Sequence, residues 1–315
     1  MRILSTILRR LVATVPVLLV VALVIFSVLR LTPGDPAAIV AGDGATLQQI
    51  AEIRAKMGLD EPIPMQFYHW ITDVLRGDFG TSLISGQPVS HMILDRMGPT
   101  IATTVYTIIY TILVSIPVGI LAAWRRGKAV DKAVAAGSVM GFSVPVFITA
   151  YILIFIFSMV LGWLPVQGYK PLSDGVWPHI KHLILPIASL GTIYIALVTR
   201  FARTSIIDTL GEDYIRTARA KGLGERSVLT RHALPNAGVP ILTIIGVSIT
   251  MLIGGVVVTE SVFNIPGLGR LVVEAIQAKD FTIIQGLIVL FTVVDITVNL
   301  IIDILYTIVD PRIES

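Results

Sequence analysis

The 24 residues IATTVYTIIYTILVSIPVGILAAW, from Ile101 to Trp124, contain no Asp, Glu, Lys or Arg. A helix rises about 1.5 Å per residue, so a run of this length covers the roughly 30 Å of bilayer hydrocarbon, where only helices and closed barrels satisfy their backbone groups. Five further stretches read the same way: Leu11 to Leu29, Val134 to Leu161, Leu183 to Thr199, Val239 to Thr259 and Thr282 to Val309. The expected fold is therefore an all-α integral membrane protein of six transmembrane helices, one domain over residues 1–315. Composition agrees, at 54% hydrophobic and 14% charged, against the roughly 25% charged residues of soluble domains. The absence of cysteine excludes disulfides, thiolate metal sites and cysteine nucleophiles.

Arg9 and Arg10 ahead of the first span resemble the start of a secretory or twin-arginine signal. Its apolar run is longer than the roughly 7–15 residues of a signal-peptide core and passes into Arg30-Leu31-Thr32-Pro33, so it reads as an uncleaved helix.

Six spans put both termini on one side, and lysine and arginine mark that side as cytoplasmic. Arg2, Arg9 and Arg10, the loop with Arg125, Arg126, Lys128 and Lys132, the segment from Arg200 to Arg231, and Arg312 hold 15 of the 24 basic residues. The opposite side carries 9 basic and 12 acidic residues, so the net charge of +3 is an orientation signal rather than a nucleic-acid footprint.

Residues 32–98 are expected to form an extracytoplasmic helical cap. Thr46 and Gln49 make a capping-box pattern. Leu47, Ile50, Ile53 and Met57 then recur at helical spacing before Gly58. A second helix opens at Pro64, runs through Phe67, Ile71 and Leu75 and stops at Gly77; these apolar faces read as packing surfaces. After the fifth span, Pro266-Gly267-Leu268-Gly269 signals a turn and Leu271 to Ala278 a short helix. Gly254 and Gly255 suit close helix approach.

Enzymatic signatures are missing: there is no G-x-x-x-x-G-K-[ST], no H-E-x-x-H and no G-x-S-x-G. His179 and His182 have a metal-compatible spacing but read as interfacial residues. Asp295, Asn299 and Asp303, at i, i+4 and i+8, form a stripe on the sixth helix. Ionisable groups at such depth face protein or water, as interhelical hydrogen bonds or as a polar lining or proton relay.

The largest cytoplasmic feature is residues 200–236. Glu212 and Asp213 suit a helix N-terminus, Arg219 and Lys221 its C-terminal end, and Gly222 a left-handed cap. A second helix from Glu225 is expected to end near Leu234, because the residue before Pro235 disfavours helical geometry. Ile215, Ala218 and Leu223 would form the apolar face. Such a pair suits DNA, an anionic lipid surface or a cytoplasmic partner.

The third choice rests on a resemblance. With Gly222 aligned, Ala218 and Leu234-Pro235 fall on the E-A-A, three residues, Gly, nine residues, Ile, one residue, Leu-Pro pattern of binding-protein-dependent ABC importer permeases. Arg216, Thr217 and His232 depart from it. The run Asp213-Tyr214-Ile215-Arg216-Thr217-Ala218-Arg219-Ala220-Lys221-Gly222 resembles the peptide branch. Further landmarks are similar in order: Leu31-Thr32-Pro33-Gly34-Asp35-Pro36, Met57-Gly58-Leu59-Asp60, Gln66, Tyr68, Trp70, Gly77-Asp78-Phe79-Gly80-Thr81-Ser82, Glu260, Phe263, Pro266-Gly267-Leu268-Gly269, Asn299, Asp303, Tyr306 and Asp310-Pro311-Arg312.

The resemblance implies the first permease subunit of a dipeptide or oligopeptide importer in a bacterial inner membrane. It implies a homologous second permease, two cytoplasmic ABC ATPases carrying ATP and Mg, an extracytoplasmic binding protein, no cofactor on this chain and no nucleic acid. The helix from Glu212 to Lys221 would couple it to the ATPases through Asp213, Tyr214, Arg216, Thr217, Ala218, Arg219, Ala220, Lys221, Gly222, Leu234 and Pro235. Glu260, Phe263, Pro266, Gly267 and Gly269 would belong to the outer loop or gate. Glutathione, nickel complexes and other small solutes are carried by related importers. A secondary transporter would need coupling-ion residues, for which Asp295 is the one candidate.

Overall fold

Apolar runs without period-two alternation fold here as helices. The computed structural model describes residues 2–31, 35–42, 44–56 and 58–309, and among them the only strand-like pairing is an isolated bridge between Thr81 and Pro88. The motif residues Thr32 to Gly34, Met57 and Asp310 to Arg312 lie outside the described residues. In chain order the helices are α1 (Arg2–Leu31), α2 (Pro36–Ala41), α3 (Leu47–Lys56), α4 (Ile63–Leu75), α5 (Val89–Trp124), α6 (Ala129–Ser143), α7 (Val146–Leu153), α8 (Val176–Leu210), α9 (Asp213–Ala220), α10 (Glu225–Ser227), α11 (Leu234–Val262), α12 (Leu268–Ala278) and α13 (Phe281–Val309).

Four helical columns are long and apolar enough to cross a membrane: α5, α8, the stretch Glu225–Val262 and α13; a bent pair, α6 with α7, makes a fifth. Within α1 the apolar stretch of described residues is Val12–Ser27.

Three expectations are corrected. The span expected over residues 134–161 is bent by 103° between α6 and α7. Val144 is extended, at φ −89° and ψ 121°, as the residue before a proline prefers, and Pro145 opens α7, which continues as a π-helical turn over Ile154–Val160. The short fourth span is the middle of a 35-residue helix, about 52 Å long and so longer than the hydrocarbon is thick. The helix after Glu225 does not end at Leu234. A π-helical segment, Val228–Ala233, joins α10 to α11 without interruption; Leu234 stays helical before Pro235, at φ −61° and ψ −44°, and the ring follows the widened turn.

The chain divides into two compact units. The first holds residues 99–270 with the N-terminal end of α1 and the C-terminal end of α13. Its axis is α8: 56% of the apolar window of α8 is buried, against 28% for α5 and 33% for the column ending in α11, so α8 is the core and the others keep faces for lipid or partners. Small residues set the spacing. A methyl added at Gly255 would come within 2.8 Å of Leu190 and 2.9 Å of the Tyr194 hydroxyl, and that hydroxyl donates to the Met251 carbonyl at 2.9 Å. Gly254 meets nothing and makes no such approach.

The second unit holds residues 8–98 and 271–296. The capping box opens α3: Gln49 Oε1 accepts from the Thr46 N–H at 2.9 Å, and Thr46 Oγ1 from the Gln49 N–H at 3.3 Å. Gly58 and Gly77 follow α3 and α4 with φ +64° and +82°. Phe67 and Ile71 are half-buried on α4, but Leu75 is exposed, correcting its place on the apolar face. Phe26, Phe67 and Trp70 form an aromatic trio with centroids 5.1–6.1 Å apart. Buried Asp280 accepts from Ser82 Oγ at 2.5 Å.

Candidate functional site: a capped helix on the base of the bundle

Residues 200–236 lie wholly in the first unit and fold back onto it. Ile215 and Ala218 of α9 are buried with Ala123, Ala202, Ile206, Val228, Leu229, Ala233, Ala237 and Ile241 in one apolar cluster drawn from α5, α8, the π-helical segment and α11. Ile215 is 0% exposed. Burying an isoleucine fully is worth about 1.5–3 kcal/mol, so α9 is anchored by its inner face. Leu234 joins the margin of that cluster, and Pro235 is exposed. Leu223 is 39% exposed, which corrects its expected place on the apolar face.

The exit from α9 is a complete Schellman arrangement. The Leu223 N–H donates to the Ala218 carbonyl at 3.3 Å and the Gly222 N–H to the Arg219 carbonyl at 2.9 Å. Both require a left-handed residue between them, and Gly222 has φ +84°. Arg219 then reaches across the turn, donating to both carboxylate oxygens of Glu225 at 2.6 and 3.1 Å. Those bonds hold the Glu225 carboxyl below its ordinary range and raise the Arg219 guanidinium. Desolvation, with Glu212 nearby, pushes the Tyr214 hydroxyl up.

With its inner face committed, α9 presents an outer face of Asp213, Tyr214, Arg216, Thr217, Arg219, Ala220 and Lys221, all exposed. Asp213 and Arg216 form an exposed 3.2 Å ion pair, of the kind worth little in stability. Such a face is short, rigid and polar. It suits a protein partner.

The outer-loop candidates assemble into a knot in the same unit. Glu260 is 0% exposed; its Oε1 accepts from Thr100 Oγ1 at 2.6 Å and its Oε2 from the Arg270 N–H at 3.1 Å. Thr100 Oγ1 in turn accepts from the Leu268 N–H at 2.7 Å. A side chain on Gly267 would collide with the carboxylate, and one on Gly269 with the Val257 backbone, 3.0 Å from Glu260 Oε2. Phe263 is buried with Ala150, Ile154, Leu183, Leu185 and Ile265, and its carbonyl accepts from the Gly168 N–H at 2.8 Å. Pro266 is exposed at the tip of the turn.

On α13, Asp295 and Asp303 are half-buried and Asn299 is exposed. His179 and His182 each set Nδ1 against a carbonyl, that of Lys170 at 2.7 Å and that of Pro178 at 2.8 Å. Among the described residues no group of three or more His, Asp or Glu could hold a metal ion.

Sequence reading missed two pairs. Thr100 meets Glu260 from 160 residues away. Asp131, on the first turn of α6, receives Nε and Nη2 of Arg203 on α8, the latter at 2.9 Å, and the Gly127 N–H at 2.8 Å. The one available signal for the second pair was a lone acid among Arg125, Arg126, Lys128 and Lys132.

Comparisons with known proteins agree with this layout. Residues 115–315 match the family described as binding-protein-dependent transport system inner membrane component, and residues 3–104 match its N-terminal family. A probable peptide ABC transporter permease of Sinorhizobium fredii is 52% identical over 308 residues, covering 98% of each chain. The glutathione transport system permease protein GsiC of Salmonella choleraesuis is 43% identical over 311 residues, covering 99% of each. Among solved structures, the MetNI methionine ABC transporter in an inward-facing crystal form superposes with a TM-score of 0.58 over 70% of this chain and 96% of its own, at 17% identity, a likeness of fold. The chain therefore belongs to the family of inner membrane components of binding-protein-dependent transport systems, the permeases of ABC importers.

Proposed function

We propose that this chain is one of two homologous permeases lining the pathway of an ATP-driven importer for di- and oligopeptides, glutathione among them. One observation carries the reading. α9 is capped at Gly222, seated by Ile215 and Ala218 on the base of α5, α8 and α11, and left polar and exposed on its other face. A cytoplasmic ATPase gripping that face moves the helix bases directly, because the buried face cannot slide without opening the core. The relatives' names support the substrate class.

In this arrangement α1, α5, the α6–α7 pair, α8, α11 and α13 are the six spans, and both termini face the cytoplasm of a bacterial inner membrane. ATP and Mg reside on two ATPase subunits. A binding protein delivers substrate to the outer side, where the Glu260 knot holds the loop in shape. Asp295, Asn299 and Asp303 serve as interhelical contacts of α13.

The test is reconstitution in proteoliposomes with the second permease, the ATPases and the binding protein. Uptake is expected to require ATP, and a cross-linker on Thr217→Cys, the chain's only cysteine, is expected to capture an ATPase subunit. Uptake by this chain alone, without an ATPase, would refute the proposal in favour of an ion-coupled carrier.

A further inference from the structure

The cluster beneath α9 is apolar and seats that helix, but apolar attraction is non-directional and does not by itself fix the orientation of a further helix. Among the described residues, a two-pronged ionic link leaves this region in a fixed direction. On α8, Ala202 and Ile206 enter the core under α9, while Arg203 between them meets Asp131 on α6 with two guanidinium nitrogens. The Asp131 side chain is 6% exposed and that of Arg203 27%. Asp131 also receives the Gly127 N–H at 2.8 Å, so the pair holds the turn between α5 and α6 as well as the first turn of α6.

A two-pronged guanidinium–carboxylate contact fixes both position and orientation. Glycine contacts secure the helices around it. A methyl on Gly119 of α5 would stand 2.9 Å from Ala202 Cβ, and one on Gly141 of α6 3.1 Å from Ala196 Cβ. α6 is thus held to α8 near both ends, and beyond Gly141 it reaches the 103° bend into α7. Stability alone is a poor reason for such a pair, because apolar residues of similar volume usually stabilise a core as well or better than a buried ion pair.

The geometry points to Arg203 and Asp131 as positioning residues that carry movement of the α9 loop into α6 and so to the bend at Val144-Pro145. This rests on the reading of α9 as an ATPase-docking helix. The loop, α8 and α6 then move as one piece, and the break before Pro145 is where that motion is taken up.

The experiment uses the complete transporter in proteoliposomes and reads four quantities: ATPase capture, thermal midpoint, ATP hydrolysis and substrate transported per ATP. Arg203→Met leaves the buried Asp131 charge, and Asp131→Asn the half-buried Arg203 charge, without its counter-charge, and both are expected to lower the midpoint, the first more. Asp131→Asn with Arg203→Met removes both charges while keeping an acceptor for the Gly127 N–H; it is expected to regain the midpoint and ATPase capture of the unmodified chain while transporting at least fivefold less substrate per ATP. Arg203→Lys, which keeps the charge but not the fork, is expected to lower the same ratio at least threefold with hydrolysis within twofold of the unmodified rate.

Recovery of transport per ATP together with stability in the double variant would overturn the inference, leaving the pair an anchor only. So would an unchanged ratio in Arg203→Lys. Failure of the unmodified chain to capture an ATPase would instead overturn the docking role of α9, and it is read before any variant is compared.

Discussion

Replacing Gly267 by alanine tests whether the Glu260 knot is a packed unit. The position has no positive φ to strain a new residue, so any cost comes from space. The new methyl would overlap the carboxylate of Glu260, which is fully buried and held from the other side by Thr100 and the Arg270 N–H. Overpacking of this kind costs about 1–3 kcal/mol. Glu260→Ala alone removes at least two hydrogen bonds to a buried charged group, at about 1.5–3 kcal/mol each, or at least about 3–6 kcal/mol together. In the double variant the methyl enters the space the carboxylate has left, so the cost of Gly267→Ala vanishes. The two substitutions should couple by about 1–3 kcal/mol, within the range known for residues in contact. Equilibrium unfolding in mixed detergent micelles, followed by tryptophan fluorescence for all four proteins of the cycle, measures it. Costs that add to within about 0.5 kcal/mol, as for independent sites, would refute the reasoning.

Gly222→Val is expected to cost about 1–2 kcal/mol or more from its left-handed φ alone, since a side chain there meets nothing within 4 Å. Gly222→Asn should cost less, and ATPase capture by the two variants separates a strained cap from a lost contact. Protease should cut within residues 200–236 only in inverted vesicles; cleavage in right-side-out vesicles would refute the orientation. Because Glu225 titrates below its ordinary value in the folded loop, its bond to Arg219 is in place above the ordinary carboxylate range and is lost as pH falls through the lowered value. Hydrogen exchange around residues 221–226 should therefore quicken on strong acidification. Glu225→Gln should abolish that pH step and shift stability by less than about 1 kcal/mol, as expected for an exposed pair.

What the sequence discloses is what neighbouring residues settle among themselves. The capping box at Thr46 and Gln49 and the left-handed stop at Gly222 involve groups a few positions apart, and each signal has its hydrogen bonds in the structure. Proline shows where this ends. Pro99, Pro117, Pro186 and Pro240 all remain inside helices, whereas Pro145 marks a break of 103°. The residue type is the same in every case. The difference lies in whether the surroundings hold the backbone helical across the ring, which no local pattern records. Pro235 shows the third outcome, in which the ring follows a widened π-helical turn in a helix that runs on through it. The same division explains the candidate site. The stop at Gly222 also turns the chain, and so Leu223, apolar and at the right spacing, ends on the exposed side of it. The two pairs that lock the unit join residues 72 and 160 positions apart. Glu260 belongs to a recognisable landmark but nothing in it names Thr100, and Asp131 and Arg203 have neither period nor motif, because each contact is made by helices that meet only after folding. The exposed polar face of α9 is thus legible from pattern, while the pairs that fasten the helices beneath and around it emerge only from the packed helices.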